Sequence, residues 1–422
     1  MRLQPASHFR GAFRLPGDKS ISHRLAIFGS LARGETRIEN FSSAADCAST
    51  LRCLEALGVR IERAGGVVSV HGRGPEGLGA PLRPLDAGNS GSTLRMLTGA
   101  LAARPFETTL TGDASLCRRP VERVAAPLRA MGAGVDTTEG RPPLRLRGGA
   151  LRGIEWRLEV SSAQVKTAIL LAGLQAEGPT TVIEPERSRD HTERLLPLFG
   201  AELERDGLRT VVRGGARLRA ASARVPGDVS SGAFLVVAAL VLPDSELTLE
   251  GVLLNPGRTA FLEVLRRMGA DLEVQVRSHE PEPVGRILAR SSRLRGVEVP
   301  SALVPSLIDE VPALAVAAAH ADGRFVVNGA AELRVKESDR IATLVEGLHE
   351  MGARAEELPD GLVIEGGRPL RGARVRSRGD HRIAMAFAIA ALAAAGNTEI
   401  DDGECASVSF PEFWSVLEAA RG

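Results

Sequence analysis

A unit of about seventy residues recurs six times along this 422-residue chain, so the fold must be assembled from repeated supersecondary modules. The strand of each unit is legible. It reads "GETRIENF" from Gly34, "FETTLTGD" from Phe106 and "GPTTVIEP" from Gly178. The later copies are "SELTLEGV" from Ser245, "GRFVVNGA" from Gly323 and "GNTEIDDG" from Gly396. Their apolar centres are Ile38, Leu110, Ile183, Leu249, Val327 and Ile400. In five units an amphipathic helix follows and ends alike: "LEALGVRIE", "LRAMGAGVD", "LPLFGAELE", "LRRMGADLE" and "LHEMGARAE". The Gly after the last apolar turn suits a helix C-cap, which needs a left-handed residue.

A second helix precedes each strand. These helices open at "DKSISHRLAI", "GNSGSTLRML", "SSAQVKTAIL", "VSSGAFLVVA", "IDEVPALAVA" and "GDHRIAMAFA". Beyond the first turn they are almost wholly apolar, which predicts burial on every side. Their first turns carry Ser, Asn, Asp and Gly, residues that cap orphan N–H groups. Two entrances, "LPGDKSISHR" and "VPGDVSSGAF", share Pro-Gly-Asp and divide the six units into two threes. The length also exceeds what one core accommodates. We therefore expect an α/β chain of two domains, 17–225 and 1–16 with 226–422. The chain would cross between them near Pro16 and Pro226, and the N-terminal strand "HFRGAFRLP" would pair in the later half.

Composition narrows the function. Basic and acidic residues number 53 and 52, with no single-sign block, and aromatics are 3%, which argues against a nucleic-acid or membrane-surface partner. The runs "FLVVAALVL" and "IAMAFAIAALAAA" are too short to span a bilayer, and "MRLQPASHFR" lacks an apolar signal core. Cys47, Cys53, Cys117 and Cys405 form no CxxC pair, so no metal or other cofactor is expected. These features predict a soluble cytoplasmic protein with reduced thiols. Among the basic residues only Lys19, Lys166 and Lys336 are lysine. In a chain that otherwise uses arginine, a retained lysine marks a place where a compact charge or a transferable proton is needed.

Helix N-termini favour anions. Capping explains the Ser and Asn at the six entrances. It does not explain Lys19, Arg24, Asp309, His381 and Arg382 beside them, because charge is costly to bury unpaired. "CRRPVERV" adds Arg118 and Arg119 at a helix start. "ELRVKESDRIA" sets Lys336 and Arg340 four apart on one face, beside Glu337. The pattern predicts a site for multiply anionic ligands.

These motifs, "LPGDKSISHR", "GNSGSTLR", "RRPV", "VSSAQVKTA", "RVKESDR" and "GDHRIAMA", resemble in order those of the 5-enolpyruvylshikimate-3-phosphate synthases (3-phosphoshikimate 1-carboxyvinyltransferases). The resemblance covers essentially the whole chain. It implies two inside-out α/β barrels of three β/α units each, with the active site in the cleft between them. It also implies transfer of the enolpyruvyl group of phosphoenolpyruvate to the 5-hydroxyl of 3-phosphoshikimate. By resemblance, Lys19, Ser20, Arg24, Ser162, Gln164, Arg189, Asp309 and Lys336 bind 3-phosphoshikimate. Lys19, Asn89, Gly91, Arg119, Gln164, Arg340 and Arg382 would bind phosphoenolpyruvate. Asp309 would accept the hydroxyl proton, Lys19 and Glu337 would move protons at the methylene carbon, and Lys336 would support the developing charge. The chain would act as a monomer that closes on 3-phosphoshikimate. Gly91 matches the small residue beside which glyphosate packs, so inhibition by glyphosate is expected. Lys166 receives no role and reads as a surface residue.

The chain departs from members that carry a lysine before a "TFP"-like segment. Here "ASVSFPEF" has Val408 and Ser409, and the resemblance assigns no phosphoenolpyruvate contact to that end. The rival UDP-N-acetylglucosamine enolpyruvyl transferases share fold and donor, but usually carry a reactive Cys where this chain has Ala114. A non-catalytic repeat scaffold would have no use for Asp309, Glu337 and lysines at helix entrances.

Overall fold

A computed structural model describes all residues, Met1–Gly422. The chain forms two compact units: Gly17–Val225, and Met1–Pro16 with Pro226–Gly422. They are called here the N-terminal and C-terminal units.

Three apolar helices form the core of the N-terminal unit: α1 (Lys19–Leu31), α2 (Gly91–Leu101) and α3 (Ala163–Gly173). The C-terminal unit has α4 (Val229–Val241), α5 (Val311–His320) and α6 (His381–Leu392). Beyond their first turns they are buried all round, which is why the sequence shows no polar stripe along them. Each fully buried Leu, Ile or Phe in this interior contributes roughly 1.5–3 kcal/mol relative to exposure. Close approach sets the packing of α2 on α3. A Cβ at Gly99 would lie 2.1 Å from the Ala168 carbonyl oxygen, so only glycine fits there.

Five of the six helices are closed at the N-terminus by the preceding side chain. Asp18, Ser90, Ser162, Asp228 and Asp380 each accept from a backbone N–H of the first turn. Helix α5 is the exception; no side chain caps it, and a proline lies in its first turn where a missing N–H costs nothing. That entrance carries Asp309.

After each core helix comes its strand: β1 (Arg33–Glu39), β2 (Glu107–Thr111), β3 (Pro179–Ile183), β4 (Glu246–Leu253), β5 (Arg324–Val327) and β6 (Thr398–Asp401). Each strand sits in a separate sheet, giving three sheets per unit around three helices. In four of the sheets a short strand pairs parallel on one side and an antiparallel hairpin on the other. Sheet outside and helix inside is the reverse of an ordinary α/β barrel. The outer helices end as their sequences require: Gly58, Gly132, Gly200, Gly269 and Gly352 all have φ between 79° and 111°.

Both crossing points lie beside such a short strand. Arg10–Arg14 pairs parallel with β4 in the C-terminal unit, as expected from sequence. Ser222–Arg224 pairs parallel with β1 in the N-terminal unit. The last unit differs from the rest. It has no hairpin beside β6, and Arg2–Leu3 occupies that edge antiparallel to the strand. No single helix is long and apolar enough to cross a membrane.

Candidate active site

In the N-terminal unit the entrances of α1, α2 and α3 are tied together by polar side chains. Lys19 opens α1, and its Nζ donates to Asp46 Oδ2 at 2.7 Å, with both side chains largely buried. His23, one turn on, places Nδ1 2.7 Å from Thr50 Oγ1. Thr50 bonds Thr93 at 2.6 Å, and Thr93 donates to Ser90, the α2 cap, at 2.8 Å. This buried chain fixes α1 against the start of α2.

At α2, Gly91 lets two arginines approach the start of the helix closely. A Cβ there would lie 2.5 Å from Arg95 NH1 and 3.7 Å from Arg119 NH1. Arg119 donates to Asn89 Oδ1 at 2.7 Å, and Asn89 Nδ2 to Asp113 at 2.7 Å. Gln164, in the first turn of α3, reaches back to α2: Nε2 donates to Ser92 Oγ at 2.8 Å, and Oε1 accepts from Arg95 NH1 at 2.9 Å. Arg95 also donates to the Pro120 carbonyl at 3.1 Å, joining Gln164 to the turn that carries Arg119. Asn89, Gly91, Arg119, Ser162 and Gln164 thus gather about two neighbouring helix ends.

Arg24 has a different environment. It is 3% exposed, and its guanidinium donates to Thr192 Oγ1 at 2.8 Å, Thr167 Oγ1 at 3.0 Å and the Ser20 carbonyl at 2.9 Å. It stitches α1 to α3 and to the segment after Arg189. Ser20 and Arg189 are half-buried. The sequence-based expectation of a surface Lys166 is wrong. Lys166 is 1% exposed, between Glu184 and Glu193, each 2.6 Å away.

The C-terminal unit holds a second cluster, with Arg340 as its hub. Arg340 is 1% exposed. Nε donates to Asp380 Oδ2 at 2.8 Å, NH2 to Glu337 at 2.6 Å and NH1 to Asp309 Oδ1 at 3.4 Å. Burial works against its charge, but Asp380, Glu337 and Asp309 outweigh that and raise its pKa further. Lys336 Nζ lies 3.7 Å from Asp309 Oδ1, and Arg382 NH2 3.9 Å from Asp309 Oδ2. Arg382 NH1 donates to the Asp309 carbonyl at 2.9 Å. Three cations therefore surround one carboxylate at the uncapped start of α5.

Behind this layer, Glu310 is fully buried and 3.8 Å from Arg382 NH1. It accepts from Ser230 Oγ, which in turn accepts from buried Arg258 at 2.5 Å. Arg258 also reaches the α4 cap, Asp228, at 3.3 Å. The entrances of α4, α5 and α6 are joined through these groups.

The model of the EPSP synthase (3-phosphoshikimate 1-carboxyvinyltransferase) family matches residues 3–417. The chain belongs to the EPSP synthase family. A 3-phosphoshikimate 1-carboxyvinyltransferase of Solibacter usitatus is 52% identical over 419 residues, covering 99% of this chain and 98% of that relative. The enzyme of the same name from Brevibacillus brevis is 48% identical over 420 residues, 99% of each chain. The structure of EPSP synthase from Acinetobacter baumannii superposes with a TM-score of 0.89 at 44% identity, covering 100% of this chain and 98% of that one.

In this member of the EPSP synthase family the cysteines Cys47, Cys53 and Cys405 are poor nucleophiles. Burial pushes the Cys53 thiol up to about 12 and Cys405 to about 11, and raises Cys47 well above the usual range. Sequence motifs located the helix entrances but missed Asp46, Arg95, Arg258, Glu310 and Asp380. Arg95, Glu310 and Asp380 lie inside motifs already singled out, where their helix-end position was a usable signal. Asp46 and Arg258 are contacts across the fold, with no local signature.

Proposed function

We propose that the chain transfers the enolpyruvyl group of phosphoenolpyruvate to the 5-hydroxyl of 3-phosphoshikimate, releasing phosphate. The observation that carries this reading is 52% identity, over 99% of the chain, to a 3-phosphoshikimate 1-carboxyvinyltransferase. The chemistry of both clusters supports it. Each substrate is a phosphorylated carboxylate, the ligand class that helix N-termini and arginine forks favour.

Residues of both clusters take part in this reaction. Arg119, Arg340 and Arg382 hold phosphoenolpyruvate, with Lys19, Gln164 and the backbone at Asn89 and Gly91. Lys19, Ser20, Arg24, Ser162, Gln164, Arg189, Asp309 and Lys336 hold 3-phosphoshikimate, and Arg24 also aligns α1 with α3. The 5-hydroxyl oxygen attacks C2 of phosphoenolpyruvate while its proton passes to Asp309, and C3 takes up a proton. A tetrahedral adduct results. C3 then gives a proton back and the C2–O bond to phosphate breaks, leaving the enol ether and inorganic phosphate. Lys19 and Glu337 carry the protons at C3, and Lys336 supports the developing alkoxide.

The enzyme works as a cytoplasmic monomer. 3-Phosphoshikimate draws the units together and excludes water from the adduct. Small-angle scattering should show compaction on adding that substrate, and identical curves would contradict closure. Phosphate release is the assay for the activity itself. Release from phosphoenolpyruvate should require 3-phosphoshikimate; release supported by UDP-N-acetylglucosamine instead would overturn the assignment.

A further inference from the structure

The third lysine remains to be explained. Lys166 sits on α3, one turn beyond Ser162, and its N–H donates to the Ser162 carbonyl at 3.0 Å. Its ammonium contacts Glu184 Oε2 and Glu193 Oε1, both at 2.6 Å. Glu184 follows the end of β3, and Glu193 lies in the short helix His191–Leu195. Between these two glutamates runs the segment that carries Arg189. One ammonium therefore holds both ends of that segment against α3.

Other contacts pin the same segment. Ser161 Oγ donates to the Glu186 carbonyl at 2.6 Å and accepts from the Glu186 N–H at 3.1 Å. Asp190 receives Arg194 at 3.0 Å and Arg205 at 2.9 Å. Thr192 bonds Arg24 and Thr167. Yet Glu184 Oε1 and Glu193 Oε2 have no hydrogen-bond partner, so Lys166 is what fixes the two carboxylates.

Stability alone does not account for such a triad. Replacing buried ions by well-packed apolar groups of similar volume is often neutral or stabilising. What the triad supplies is register: two points nine residues apart are set by one compact donor. A guanidinium is larger and planar, and a site 1% exposed has no room for it without displacement. This is a third place where arginine cannot replace lysine.

We infer that Lys166 is a positioning residue that holds the Arg189 segment against the start of α3, so that Arg189 and Ser162 present a fixed geometry to the 3-phosphate of the acceptor. The inference rests on the proposed role of Arg189. Lys166, Glu184 and Glu193 are all buried, so the role assigned to them is indirect.

The test compares affinities for 3-phosphoshikimate and shikimate by calorimetry, alongside the KM for phosphoenolpyruvate. Lys166→Met alone would strand two buried carboxylates, so the informative variant is K166M/E184Q/E193Q, which removes all three charges, with its fold checked by circular dichroism. We expect R189Q to lower the preference for 3-phosphoshikimate over shikimate by about tenfold or more. The triple variant should lower it comparably and leave the phosphoenolpyruvate KM unchanged. Adding R189Q to the triple variant should cause no further loss, because the two act as a unit. K166R keeps the charge and is the second probe; it too should lose part of the preference. Wild-type preference in the triple variant or in K166R, with R189Q impaired, would overturn the inference alone. Wild-type preference in R189Q would overturn the role of Arg189 and this inference with it.

Discussion

Lys19 Nζ donates to Asp46 Oδ2 over 2.7 Å, joining the first residue of α1 to the helix Ala45–Ala56. The pair is largely buried, at 19% and 11% side-chain exposure, so removing one partner also costs stability. Its further effect is on geometry: Asp46 fixes where the ammonium stands. Asp46→Asn should lower the unfolding midpoint and lower kcat/KM by about tenfold, as positioning effects of this size imply. An unchanged kcat/KM would show that Asp46 does not direct Lys19.

Arg340 and Asp380 form a more deeply buried pair, at 1% and 0% side-chain exposure. Asp380 also caps α6 and accepts from Ser338. Removing one partner leaves a buried charge uncompensated, at a cost of about 3–5 kcal/mol. Asp380→Ala should lower stability by that amount in urea denaturation and raise the phosphoenolpyruvate KM through Arg340. A loss under about 1 kcal/mol would place the pair's charge in contact with water.

His23 makes stability depend on pH. Burial is the main cause that lowers its pKa to about 3; Asp46 opposes this, while Lys19 and Arg24 add to it. In the unfolded chain the imidazole titrates near 6.5. Between these values the unfolded state binds the extra proton. This contribution is therefore complete above about pH 6.5 and is lost as pH falls towards 3. Urea denaturation from pH 7.5 down to pH 5 should show falling stability, with a shallower slope in His23→Gln. Equal slopes would exclude His23 as a cause.

Gly91 bears on inhibition. Turnover should fall as glyphosate is added, and complete insensitivity would contradict the family expectation. Gly91→Ala would set a methyl 2.5 Å from Arg95 NH1. That flexible side chain can yield, so the fold should survive. Arg95 also holds Gln164, so the phosphoenolpyruvate KM should rise several-fold. An unchanged KM would separate Arg95 and Gln164 from donor binding.

What the sequence revealed was what local physics dictates. Cap residues before apolar runs marked all six core helices, and five glycines marked the left-handed ends of the outer ones. Contacts between distant segments were hidden. Nothing local links Lys19 to Asp46, or Ser230 to Glu310. Lys166 misled for a physical reason: a charged residue near a helix start usually faces solvent, and its glutamates lie 18 and 27 residues further on. The capping pattern also concealed that α5 has no side-chain cap, which leaves Asp309 to face Lys336, Arg340 and Arg382. At the last unit, the edge taken by Arg2–Leu3 could not be read from a period that ends with the chain.

The central claim is that groups from both units act on one reaction, and single-turnover phosphate release tests it most directly. Lys19→Arg alters the N-terminal unit and Asp309→Asn the C-terminal unit, each with little change in shape. With phosphoenolpyruvate and 3-phosphoshikimate saturating, each substitution should slow phosphate release by about 100-fold or more, the scale of a lost acid or base. Wild-type release rates in either variant would contradict the account.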